Sequence, residues 1–252
     1  MEFEQEIREN YRFIIIRSPH ELMENEFVRN LFPKVIQLKV EGYRKEYGNY
    51  VLPFDSSDFI ATHLVLCELQ KDGSYIPVLG FKSVTLQMCD DYRIPFPILS
   101  MLENDNNKKT ILGTMDGYRA TNSQSQLAYN GSFTILPRLR ENKVLMKYLW
   151  KITSSLLVNY YIEYQIPHVL ALCVTKFHIH LKKQELGWNF IQSENGILGP
   201  YNCKAFFDTT LVPMEFSNLS IKGIEAAARF KDMWLNRITL DLENITVRRK
   251  VA

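Results

Sequence analysis

The sequence lacks most of the features that make a protein class easy to read. Its four cysteines, Cys67, Cys89, Cys173 and Cys203, are widely spread and form no CxxC pair, which argues against a disulfide framework or a zinc knuckle. Apolar runs such as His168–Val174 stop far short of the roughly 20 residues that span a bilayer, so no membrane span is expected. The opening MEFEQEIRENYR is acidic and polar, unlike a secretory signal, and points to a reducing, cytoplasmic setting. Thirty basic against 28 acidic residues leave a formal charge of +2, too balanced to carry the electrostatic footprint of a nucleic-acid partner. There is no Gly-x-Ser-x-Gly elbow, no Gly-x-Gly-x-x-Gly and no phosphate P-loop, so neither a serine hydrolase nor a nucleotide fold is signalled.

What is present is an ordinary globular composition, 46% hydrophobic and 23% charged over 252 residues, enough for a sizeable core at the upper end of one domain. The β-branched run Tyr11–Arg17 predicts a first strand, closed by Ser18-Pro19. Apolar spacing from Leu22 to Val40 predicts helix, with Pro33 breaking it in two. Two strands, Ala61–Leu69 and Pro77–Leu86, flank the turn signal Asp72-Gly73 and form a hairpin. The polar stretch Asn104–Lys109 reads as a loop, and Ser132–Leu136 as a strand ended by Pro137. Lys143–Tyr164 is the longest helical pattern. The apolar run His168–Val174 predicts a strand buried on both faces. A short helix from Lys176 to Leu186 stops at Gly187, a residue suited to a left-handed cap. Strands are expected at Trp188–Gln192 and Lys204–Leu211, a helix near Ile221–Trp234, and an alternating run Arg237–Val247 that could cover a sheet edge or pair with a second subunit. This mixture predicts an α/β or α+β layered fold.

From residue 11 to 211 the order resembles the GNAT superfamily of N-acyltransferases. Ile135-Leu136-Pro137-Arg138-Leu139-Arg140, running into the helix at Lys143, is similar to that family's entry to its cofactor loop. There, helix amides and a cation meet the pyrophosphate of coenzyme A. Lys143 and Leu145 stand where the family has small residues. Lys183 stands where it often has a tyrosine that donates a proton, within Leu181–Trp188. Tyr43–Gly48, Asp55-Ser56-Ser57-Asp58 and Ala61–Leu64, followed by Gly80-Phe81-Lys82-Ser83, resemble the N-terminal half of acyl-homoserine-lactone synthases and N-acyl amino acid synthases. Members of that branch accept acyl groups from acyl carrier protein.

The resemblance implies a GNAT-like mixed central sheet flanked by helices over residues 1–212, with a helix-strand extension over 213–252 packed on the same domain. It implies transfer of an acyl group from an acyl thioester to a small amine such as an amino acid, with acyl-CoA or acyl-phosphopantetheine as co-substrate. The partners are then the amine and an acyl carrier protein. Glu41, Asp55 and Asp58 could hold the acceptor ammonium or act as base, and His63 could be a base tuned near neutral pH. Against this, the carboxylates could be plain solvated groups and His63 a strand histidine satisfied by a neighbour. Ile135, Leu136, Arg138, Arg140 and Lys143 are the expected cofactor-binding set, or a charged surface turn. Lys147 and Lys151 could extend a landing patch for an acidic carrier. Phe96, Ile98, Leu99, Met101 and Leu102 could line an acyl tunnel or fill the core. His178 and His180, two apart on a short helix, point to different faces, and no metal is expected. Two other readings stay open: a GNAT-fold binding or regulatory protein without catalysis, and a conventional acetyl-CoA-dependent acetyltransferase.

Overall fold

The computed structural model describes residues 2–51, 53–102, 105–176, 178–194, 196–203 and 209–243. In chain order these form α1 (Glu2–Asn10), β1 (Tyr11–Arg17), α2 (Glu26–Tyr47), α3 (Ser57–Ile60), β2 (Thr62–Leu69) and β3 (Tyr75–Thr85). Next come α4 (Leu86–Asp91), α5 (Pro97–Met101), α6 (Asp105–Ala120), β4 (Leu127–Ile135) and α7 (Lys143–Glu163). Then follow β5 (His168–Val174), α8 (Ile179–Glu185), β6 (Trp188–Phe190), β7 (Gln192–Ser193), β8 (Gly196–Ile197) and β9 (Tyr201–Cys203). The chain continues through β10 (Thr209–Phe216), α9 (Ile221–Arg229), α10 (Lys231–Leu235) and β11 (Ile238–Leu240). Residues group into two compact units, the first from 1–83, 132–151 and 230–252, the second from 84–131 and 152–229.

In the first unit β1 is the hub: β11 lies parallel on one side, and β2 and then β3 follow antiparallel on the other. Ile14 and Ile16 face α2, where Leu31, Phe32 and Val35 cover them; Phe13 and Ile15 point to the opposite face and are equally buried. That is the period-two alternation of a strand covered on both sides. The 22-residue α2 starts at Asn25, whose side chain accepts from the Val28 amide, as an N-cap should. It corrects the expectation of a break at Pro33, which lies inside the helix on its exposed face. There the carbonyl freed by proline can turn to water. Ser18-Pro19 opens only a single 3-10 turn, Pro19–Leu22, with Ser18 left-handed and making no cap. The Leu136 amide donates to Val78 at 2.8 Å, fastening the end of β4 to β3.

In the second unit β4 pairs parallel with β5 over Leu127–Asn130, and β5 pairs antiparallel with β10, which also takes β6 and β9. The ladder between β4 and β5 stops at Asn130 and Ala171. The next residues of β4 are Gly131, where an added Cβ would come within 2.6 Å of the Tyr129 ring, and Ser132, at φ +57. The strand therefore kinks where its pairing ends. Asp105–Lys109, expected to be loop, opens α6, which buries Ile111 and Met115 one turn apart; Asn104 lies outside the described residues. α1 was not foreseen either: Ile7 is its buried apolar anchor, and Arg8 pairs with Asp232 at 2.8 Å. The boundary drawn between Val212 and Pro213 falls inside β10, and the helix expected at Ile221–Trp234 divides into α9 and α10 at Phe230. Of the expected strand Lys204–Leu211, residues 204–208 lie outside the described residues, as do 244–247 of the last alternating run. The part of that run that is described, β11, does cover a sheet edge. No helix among the described residues is long and apolar enough to cross a membrane.

Gly42, on the buried face of α2, gives a test of this packing. An added Cβ would overlap Thr134 Oγ1 and approach Arg140 Nη2 to 2.9 Å. Alanine gains about 1 kcal/mol of helix propensity over glycine, but overpacking against the 97% buried Thr134 costs about 1–3 kcal/mol. Gly42→Ala should therefore lower the urea midpoint, and adding Thr134→Ala should recover most of the loss.

Candidate functional site

The tight turn before β2 is built by its own aspartates. The Asp55 carboxylate accepts from the Ser57 amide at 2.8 Å and from the Ser57 hydroxyl, while Asp58 Oδ2 accepts from the Asp55 amide at 3.0 Å. Asp58 is fully buried. Its Oδ1 takes the ammonium of Lys39 and its Oδ2 that of Lys82 at 2.9 Å. Lys82 also reaches Asp55 Oδ1 at 3.0 Å and the Ser57 hydroxyl at 2.7 Å.

These charges shape each other's proton affinity. Burial alone would raise the Asp58 pKa, but Lys39 and Lys82 outweigh it and hold the carboxyl ionised, well below the usual carboxylate range. Burial lowers Lys39 to about 8 against the pull of Asp58. For Asp55, burial also acts upward, and Lys82 with the Ser57 hydrogen bond overrides it to give a net lowering. His63, opposite Lys82 across the hairpin, donates from Nε2 to the Asp58 carbonyl at 2.6 Å. Burial, with the charge of Lys39 adding to it, brings His63 down to about 4, so it is neutral at pH 7. Asp58 and His63 are thus committed to the frame of the turn. Asp55 differs: its side chain is 56% exposed, and among the described residues its Oδ2 takes no hydrogen bond. Glu41 stands apart from the cluster, exposed on α2 and accepting from Gln37 one turn earlier at 2.7 Å.

The expected cofactor loop closes on itself. Arg140 Nε donates to the Ile135 carbonyl at 2.8 Å, Nη2 to the Gly42 carbonyl at 3.2 Å, and Nη1 to Glu46 at 2.6 Å. Arg138, 53% exposed, pairs with Glu68 at 2.5 Å. The amides of Leu139, Arg140 and Asn142 donate to carbonyls within the turn. Asn142 Oδ1 caps α7 by accepting from Leu145 at 3.0 Å. Lys143, Val144 and Lys147 are exposed on the first turns of the helix.

In the second unit, Phe96, Ile98 and Leu102 are buried. Asn130 Nδ2 donates to the Tyr161 hydroxyl at 2.6 Å, while Asn130 Oδ1 is buried and has no partner among the described residues. Lys183 is also buried. The rings of His178 and His180 are 6.3 Å apart, and no group of three potential metal ligands occurs among the described residues.

No protein family and no curated protein matches the chain by sequence. Solved structures do match. LasI, an AHL synthase, superposes with a TM-score of 0.50 at 12% identity, over 86% of this chain and 93% of its own. The CoA-dependent acyl-homoserine lactone synthase BjaI, solved with MTA, gives 0.53 at 10% identity, over 91% and 92%. The chain has the acyl-homoserine-lactone synthase fold. That likeness runs nearly the whole length of both partners, and the mixed, GNAT-like α/β class implied by the resemblance is the class observed.

Sequence reasoning singled out the Asp55–Asp58 turn but missed the two lysines that meet it in the structure. Lys39 was hidden in a helix pattern, yet it falls on the stripe Val35, Leu38, Lys39, Gly42 that α2 buries. A lysine on an apolar helix face, near an aspartate-rich turn, was the available signal.

Two outcomes follow for the cluster. Asp58→Asn leaves two buried ammonium groups without their shared carboxylate and should cost about 3–5 kcal/mol in urea unfolding. For His63, the unfolded chain takes up a proton near pH 6.5 but the folded one only near 4, so stability is lost as pH falls through that window. The loss should be about 3 kcal/mol. His63→Gln, which keeps a donor for the Asp58 carbonyl, should flatten the slope between pH 7 and 4; an unchanged slope would show that His63 is not its source.

Proposed function

We propose that the protein is an N-acyltransferase that moves an acyl group from an acyl thioester, on coenzyme A or an acyl carrier protein, to a small amine of the amino-acid type. The observation that carries this reading is the Asp55 carboxylate. One oxygen is fixed by Lys82 and Ser57, and the other is unbonded among the described residues on a half-exposed side chain. A rigid carboxylate kept ionised at neutral pH is what an ammonium acceptor needs as its first contact. BjaI, which shares the fold at a TM-score of 0.51, has also been solved with SAM and isopentyl-CoA. SAM carries an amino-acid amine and isopentyl-CoA is a thioester, so both classes of co-substrate are represented on this fold.

Asp55 makes the contact with the acceptor, while Asp58, Lys39, Lys82 and His63 hold it in place. Lys143 and Lys147 offer cations to the phosphates of coenzyme A or of a phosphopantetheine arm, and to an acidic carrier. Four buried cysteines with no disulfide among the described residues fit work in the cytoplasm. A second reading, a thioester-binding protein without turnover, is favoured by Asp58 and His63, whose carboxylate and ring are already committed within the turn.

The test is a thermal-shift panel of coenzyme A, acetyl-CoA, long-chain acyl-CoA and acylated carrier protein, followed by an amine screen. Long acyl donors should stabilise the chain selectively, and Lys143→Ala with Lys147→Ala should weaken that effect. Asp55→Asn should leave donor binding intact and reduce amine-dependent turnover on the order of tenfold. Donor binding without turnover on any amine favours the second reading, and no shift with any donor removes both.

A further inference from the structure

Within the first unit, where α1, the start of β1 and α10 meet, lies a cavity of about 370 Å³. That is the small end of the size range of ligand sites. Phe13 and Met233 give it an apolar, buried lining. The other side chains around it are polar and carry charge of both signs: Arg8, Tyr11, Arg12, Asp232 and Asn236.

The charged groups are fixed, yet not used up. Arg8 Nε donates to Asp232 Oδ2 at 2.8 Å and its Nη1 to the Glu4 carbonyl at 3.2 Å, while its guanidinium lies 5.0 Å from the centre of the Phe230 ring. Asp232 is thereby held by one oxygen, and its Oδ1 takes no hydrogen bond among the described residues. Arg12 is held through Nη1 alone, which donates to the carbonyls of Arg8 at 2.7 Å and Tyr11 at 2.9 Å where α1 ends. Its Nε and Nη2 make no hydrogen bond among the described residues. Those two nitrogens form the side edge of the guanidinium, the fork that matches a carboxylate. Holding such a fork in place beforehand lowers the entropy that a ligand must overcome.

We propose that this cavity binds a small zwitterion, an α-amino acid with an apolar side chain. The ligand carboxylate pairs with Nε and Nη2 of Arg12, its ammonium donates to Asp232 Oδ1, and its side chain rests on Phe13 and Met233. The charges of the lining favour that class over its neighbours: a multiply charged anion would face Asp232, and a plain amine would face both arginines. The site is separate from the aspartate turn. Phe13 points away from α2, and Tyr11 lies five residues along β1 from Ile16, the partner of His63. At about 3.3 Å per residue that is roughly 17 Å. The inference therefore does not rest on the acyltransferase reading.

The experiment is a calorimetric titration of the full chain with L-leucine and its two halves, isocaproate, which lacks the amine, and isoamylamine, which lacks the carboxylate. Leucine should bind, and each half should bind at least about tenfold more weakly. Asp232→Asn, which keeps the shape of the side chain, and Arg12→Met should each weaken leucine by about tenfold or more. Arg12 also fastens the end of α1, so Asn236→Phe, at an exposed position beside the cavity, blocks the site without touching either charge and should have the same effect. Asp55→Asn separates this cavity from an amine site at the aspartate turn, and leucine binding should survive it. Binding lost with Asp55→Asn but kept in Asp232→Asn and Asn236→Phe would overturn the proposal and support the acceptor role of Asp55. Isocaproate binding as tightly as leucine would reveal a plain anion site and overturn it as well. No saturable heat with millimolar leucine would also overturn it, leaving the acyltransferase reading to its own donor panel.

Discussion

The first unit depends on one charge balance: a single fully buried carboxylate, Asp58, set between the ammonium groups of Lys39 and Lys82. None of the three could be buried alone without a cost of several kcal/mol. Together they tie α2, the aspartate turn and β3 into one arrangement. The geometry follows from that obligation. Ser57 and the Asp55 amide fill the remaining contacts of the turn, and His63 completes it by holding the Asp58 carbonyl. Such a cluster is weak as a source of net stability, because apolar residues could fill the same volume. Its effect is to make alternative packings expensive, so the half-exposed Asp55 is held in one orientation.

Much of this was legible in the sequence, and the failures share a cause. Strands such as Tyr11–Arg17 and His168–Val174 were read to the residue, because continuous β-branched and apolar runs leave little choice. The hairpin at Asp72-Gly73 was equally clear, with Gly73 at φ +81. Local rules failed where a distant partner decides. Pro33 reads as a breaker, but α2 is buried along the face that carries Leu31, Phe32 and Val35, and that packing outweighs one missing hydrogen bond. The polar opening of α6 reads as loop until Ile111 and Met115 find the core. The aspartates of the candidate site were visible as a motif, while Lys39 was not, since no local pattern says that a lysine will be drawn inside by a carboxylate nineteen residues away.

The arginines of the β4–α7 turn illustrate a difference between composition and availability. Arg138 and Arg140 stand in the positions the resemblance assigns to phosphate binding. Yet Glu68 and Glu46 already neutralise them, and Arg140 spends its other donors on the carbonyls of Ile135 and Gly42. An incoming phosphate would compete with partners in place, whereas Lys143 and Lys147 are exposed on the helix that follows. The cationic surface most accessible to a thioester carrier is therefore the start of α7 rather than the turn before it.

The pairing of β11 with β1 bears on how the chain reaches its fold. Ile14 and Ile238 lie side by side, and the first unit is assembled from three separated segments with the second unit threaded between them. β1 must wait for β11, a strand made much later in the chain. Such long-range closure raises contact order and slows folding, and until β11 has been made β1 keeps an unpaired edge of isoleucines open to misassociation. The hairpin of β2 and β3, formed from neighbouring residues, can meanwhile cover the other edge of β1, leaving the ribosome-bound chain with one vulnerable side instead of two.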